Sequence, residues 1–154
     1  MDFNKFIVLH KAVGEKEGVI RFTDLGGAST QNKVVDEHTG HSEKVVEVEM
    51  TTIDKEVAHY NLTPSFIKTD VEGQDLNALK GALNTLKSGS VRIVKFEHIG
   101  DNPLQPILQF FDQLKWRVFS LDNMGKPTLE ESRMSGELNL FAMPEQAFKE
   151  RFEK

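Results

Sequence analysis

The stretch from Ser65 to His98 constrains the fold most. A short apolar run, "SFIK", is followed by Leu76, Leu79, Leu83 and Leu86, and then by a second run, "VRIVKFEH". Leucines three and four positions apart line one stripe of a helix, and the flanking runs have the length of strands. A strand, a crossover helix and a second strand make a parallel pair. The expected fold class is therefore α/β with a mainly parallel sheet. Both runs end on a carboxylate, Asp70 after the first and Glu97 at the close of the second.

Other segments extend this pattern. Phe6 to His10 reads as a buried strand, and "GVIRFTD" as another. "VVEVEM" places Val46, Val48 and Met50 on one face and Glu47 and Glu49 on the other, as in a half-solvated antiparallel or edge strand. Thr52 or Asp54 caps a short helix carrying Ile53, Val57 and Tyr60. The leucine helix ends at Gly89. Ile107, Phe110, Phe111 and Leu114 form the face of a later helix. "RVFSL" and "LNLFAM" are late strands, and Phe148 and Phe152 stand four apart on a terminal helix. The polar, glycine-rich stretch from Gly26 to Glu43 reads as an exposed loop.

At 154 residues the chain fits a single domain, residues 1–154. The hydrophobic share of 38% is modest, but eleven Phe can fill a core. Nineteen Lys and Arg against 24 Asp and Glu leave a net charge of −5, with no long block of either sign. Neither a nucleic-acid footprint nor a basic membrane-surface helix is expected. The absence of Cys excludes disulfides, thiol nucleophiles and cysteine metal sites. No apolar stretch reaches the length of a spanning helix, and the first residues lack the pattern of a signal peptide. A soluble cytoplasmic protein is expected.

Ligands of open α/β sheets bind beyond the carboxyl ends of the strands. Asp70 and Glu97 are placed to face one such crevice, where carboxylates can take a proton, hold a metal or accept hydrogen bonds. An acid at a helix start also caps N–H groups and complements the helix dipole, so a purely structural role competes. His98, beside Glu97, is a candidate acid or base or a structurally bonded histidine. His38 and His41, with Asp36 or Glu37, have the composition of a metal site but lie in the polar loop. "NLT" at Asn61 matches a glycosylation acceptor without a secretory context.

The order of four elements is more specific than any one of them. "TTID" at 51–54, "IKTDVEG" at 67–73, "LKGA" at 79–82 and the strand ending in Glu97 resemble the FkbM family of S-adenosylmethionine-dependent methyltransferases. The family shows a "TLD" element, a "KIDVEG" strand end, a "LxGA" helix and a strand closing on Glu in the same order. Here Ile53 and Thr69 depart mildly from that pattern. The resemblance extends from Lys5 to about Pro144. It implies a Rossmann-like methyltransferase fold and transfer of a methyl group from S-adenosylmethionine to a hydroxyl of a small molecule or sugar. It places Asp70 and Glu72 near the reacting end of the crevice, with Glu97 in support from the next strand. Lys11, Ala12 and Val13 fall near the adenine.

Members of this family also carry a glycine-rich turn after the first strand and an acidic residue after the second. This chain has no G-x-G anywhere, so the resemblance implies a domain lacking the first two strands of the usual core. Without that turn, backbone groups do not approach the cofactor, and open sheet edges invite self-association or a partner chain. The alternative to an active enzyme is a non-catalytic remnant or one half of a split enzyme.

Overall fold

A computed structural model describes residues 6–23, 45–71, 73–98, 103–134 and 139–153. Along the chain these form β1 (Ala12–Val13), β2 (Gly18–Thr23), β3 (Val45–Thr51), α1 (Ile53–His59), β4 (Phe66–Lys68), α2 (Asp75–Lys80) and α3 (Leu83–Lys87). There follow β5 (Ile93–Glu97), α4 (Gln105–Gln113), β6 (Trp116–Leu121), β7 (Pro127–Thr128), α5 (Glu131–Met134), β8 (Asn139–Pro144) and α6 (Glu145–Phe152). None of the described helices is long and apolar enough to cross a membrane.

The strands make two sheets, one ordered β1-β3-β2 and one ordered β4-β5-β8-β6-β7. β4 and β5 pair in parallel, as the strand–helix–strand pattern requires, with Lys68 opposite Lys95. The other pairs of the larger sheet are antiparallel: β5 with β8, β8 with β6, and β6 with β7. The sheet is therefore mixed and not mainly parallel as expected. The physical reason lies in β8, which enters between β5 and β6 and runs against both. Side-chain periodicity is blind to strand direction, because residues alternate between faces in either sense.

Alternation sorts the large sheet into two layers. Val94 and Phe96 of β5, Trp116 and Val118 of β6, and Leu140 and Ala142 of β8 join Leu79, Ala82, Leu86, Ile107 and Phe111 in one core. Phe111 stacks on Phe96 and on Trp116, with ring centroids 5.6 and 5.9 Å apart. The residues between them face the other way. There Phe119 meets Phe141 and the Phe148 and Phe152 rings of α6 at 5.2–5.7 Å, a favourable separation for offset and edge contacts.

Two further expectations need correction. Phe6 to His10 is not a strand; Phe6 and Val8 are 83% and 90% exposed. An apolar run gains its strand state by pairing and burial, and no described strand lies alongside it. The leucine helix is also not continuous but breaks at Gly81 and Ala82 into α2 and α3. A Cβ on Gly81 would stand 2.1 Å from the Gly14 carbonyl oxygen, so the break seats another segment of backbone. The loop 26–43, with His38 and His41, lies outside the described residues.

Candidate active site

The motif at 67–73 runs off the end of β4. Thr69 N–H still donates to the Lys95 carbonyl at 2.9 Å, and Asp70 is the first residue beyond the ladder. Asp70 and Glu97 each lie two positions on from the paired Lys68 and Lys95. Glu97 is near enough to act on the Asp70 carboxyl. Gly73 has a φ of 85°, a left-handed conformation that glycine adopts without a Cβ penalty. The glycine at this turn is therefore explained by backbone conformation.

Asp70 is exposed and paired with Lys68, whose Nζ lies 2.5 Å from Oδ2. This hydrogen bond and the charge of Lys68 hold the Asp70 carboxyl below its ordinary range. Desolvation opposes Lys68, and Lys95 and Glu97 add smaller lowering contributions. A carboxylate so stabilised is a good hydrogen-bond acceptor and a weak base.

Beside Glu97 lies a cavity of about 200 Å³, lined on one side by Gln74, Asp75 and Asn77 and on the other by Pro103, Pro106 and Ile107. His98, 3% exposed, also lines it. Asp75 escapes a simple sequence reading because an acid at a helix start looks like a complement to the dipole. The signal that reveals it is its position, four before Leu79 and seven before Ala82, on the buried stripe of the helix. The structure buries it to 2% exposure.

The remaining candidates stand elsewhere. Lys11 is engaged with Glu49 at 3.0 Å and Glu56 at 3.3 Å, and Glu56 also accepts the Thr51 hydroxyl at 2.7 Å. That hydroxyl, then Lys11, keep the Glu56 carboxyl below its usual range despite partial desolvation. The ion pairs in turn raise Lys11. Ala12 and Val13 pair with Met50 and Thr51 as β1. None of these three lines the cavity at Glu97, and Glu72 lies outside the described residues. Among the described residues no group of His, Asp and Glu is arranged to hold a metal ion.

The other shared motifs build a joint. Asp54 of "TTID" accepts the N–H groups of Asn84 and Thr85 at 2.8 and 2.7 Å, and its own N–H donates to the Gly81 carbonyl of "LKGA" at 2.9 Å. Gly14 N–H closes the joint on Thr51 at 3.0 Å. These motifs hold α1, α3 and the smaller sheet together, leaving the end of β4 and β5 as the chemically equipped place.

No curated protein and no solved structure matches the chain. A family model described as the methyltransferase FkbM domain matches residues 4–120, from before β1 into β6, and so takes in both carboxylates and the joint. With most of its length matched in this way, the chain belongs to the FkbM methyltransferase family.

Proposed function

We propose that the chain serves S-adenosylmethionine-dependent methylation of a hydroxyl oxygen on a small molecule or sugar. The observation that carries this reading is the contact of Asp70 with Glu97 at the ends of two parallel strands, beside a small cavity. Transfer to an oxygen needs the acceptor hydroxyl aligned and relieved of its proton. Asp70, ionised beside Lys68, accepts the hydrogen bond of that hydroxyl and orients a lone pair. It takes the proton as the oxygen becomes positive, when even a weak base suffices. Glu97 supports it from the neighbouring strand.

S-adenosylmethionine is the methyl donor that the family implies, and the described residues do not by themselves fit the whole of it. The cavity at Glu97, about 200 Å³, is smaller than the ~300–1,000 Å³ of pockets for drug-sized ligands, and Lys11 is already paired with Glu49 and Glu56. It suits the reacting end of an acceptor. The second reading is a half-enzyme or remnant whose donor site needs another chain, and the edge of β4 opposite β5, with no partner strand among the described residues, is where such a chain would pair.

Calorimetric titration of S-adenosylhomocysteine into the folded chain tests the first reading. Saturable binding is expected if the chain holds the donor alone. A folded chain that releases no heat of binding would overturn independent methyl transfer and leave the half-enzyme or remnant.

A further inference from the structure

We propose that Asp75 is a positioning residue that sets the separation of Asp70 and Glu97, an inference that rests on the reading of those two as the acceptor-handling groups. Lys95 directs its carbonyl toward β4, where it accepts the Thr69 N–H. Main-chain groups repeat with period two along a strand, so the next N–H of β5 on that side belongs to Glu97. In a continued ladder it would donate to a β4 carbonyl. It donates instead to Oδ1 of Asp75 at 3.3 Å. A side chain has replaced the ladder where the two strand ends part.

This substitution has a geometric effect. The turn leaving β4 runs through Asp70 and Gly73 to Asp75, the first residue of α2. One hydrogen bond thus ties that turn to the end of β5, at the cavity that both Asp75 and Glu97 line. A role confined to the helix dipole would be served by an exposed acid. Asp75 is instead 2% exposed, and its Oδ2 has no hydrogen-bond partner among the described residues. Burying a carboxylate half satisfied is unfavourable. Its place in the lining of the cavity accords with a positional task.

The test reads the coupling of the two carboxyls by carbon-13 NMR, with the full chain and no donor or acceptor. In the parent protein, Glu97→Ala should raise the titration midpoint of Asp70, because the lowering influence of Glu97 is lost. Asp75→Asn keeps an oxygen for the Glu97 N–H and should preserve that rise. Asp75→Leu should abolish it. Asp75→Glu retains the acid at the helix start with a longer side chain, and should at least halve the rise if the leucine variant does not fold. An undiminished rise in the leucine or glutamate variant, or its loss in the asparagine variant, would overturn the proposal. The readout is independent of methyl transfer: coupling that behaves as expected in a chain that binds no S-adenosylhomocysteine would sustain Asp75 and sink the enzymatic reading alone.

Discussion

Asp54 holds Thr85 twice with one oxygen, accepting its backbone N–H at 2.7 Å and its hydroxyl at 2.6 Å. The carboxylate belongs to α1 and the groups it satisfies open α3, so a motif in one helix caps another far along the chain. Asp54→Ala should cost roughly 2–3 kcal/mol, since it orphans helix-start N–H groups bonded to a charged acceptor. Urea denaturation checks this, and a loss under about 0.5 kcal/mol, the range of ordinary surface substitutions, would contradict the capping role.

Gly81 and Gly89 should respond differently to alanine. At Gly81 the new Cβ would overlap the Gly14 carbonyl at 2.1 Å, and backbone has to move; at Gly89 the surroundings are open but φ is +80°. Gly81→Ala is expected to cost about 3 kcal/mol or more through overpacking, against about 1–2 kcal/mol for the left-handed position. Equal thermal stability of the two variants would contradict the joint between Gly14 and Gly81.

Trp116 is the single tryptophan of the chain, and its ring stacks on Phe111. Its fluorescence therefore reports on the packed core under α4. Phe111→Ala removes a fully buried ring and should destabilise by roughly 3–5 kcal/mol. The emission should shift to the red as water reaches the indole. Fluorescence-detected unfolding measures both, and an unchanged emission maximum would show that the pair is not packed as described.

The Asp70 carboxyl is depressed in the folded chain by Lys68, Lys95 and Glu97. A depressed acid stabilises the fold above its unfolded pKa, near ~3.9. That contribution is lost as pH falls through the lower folded value. Lys68→Met should move the Asp70 midpoint upward and remove its share of this acid sensitivity. A carbon-13 carboxyl titration reads the midpoint directly, and one that does not move would rule out Lys68 as the main cause.

If Asp70 orients the acceptor hydroxyl, Asp70→Ala in a chain shown to transfer methyl groups should lower kcat by about 10²–10⁴-fold, the usual reach of a positioned acid or base. Binding of S-adenosylhomocysteine by calorimetry should change little. Methyl transfer that survives the substitution unchanged would remove Asp70 from the mechanism.

Local patterns were sufficient for most of the elements. Alternation marked β3, strand-like apolar runs marked β5, β6 and β8, three-and-four spacing marked α4 and α6, and Thr52 caps α1 by accepting the Lys55 N–H. The same reading located Asp70 and Glu97, because a strand's end is visible wherever an apolar run stops at a carboxylate. What it missed depends on partners distant along the chain. Phe6 to His10 has the composition of a strand, but no described strand pairs with it. The leucine helix breaks because Gly14 needs the space at Gly81. β8 turns a parallel sheet into a mixed one by its direction, which side-chain period does not encode. Asp75 shows in the sequence only as an acid on the buried stripe, and its hydrogen bond to the Glu97 N–H emerged from the structure. Sequence determined which residues would be helical, extended or apolar, since those choices follow from each residue and its near neighbours. Tertiary structure alone decided which groups meet, because contact between segments far apart in the chain is settled by packing, pairing and the satisfaction of buried polar groups.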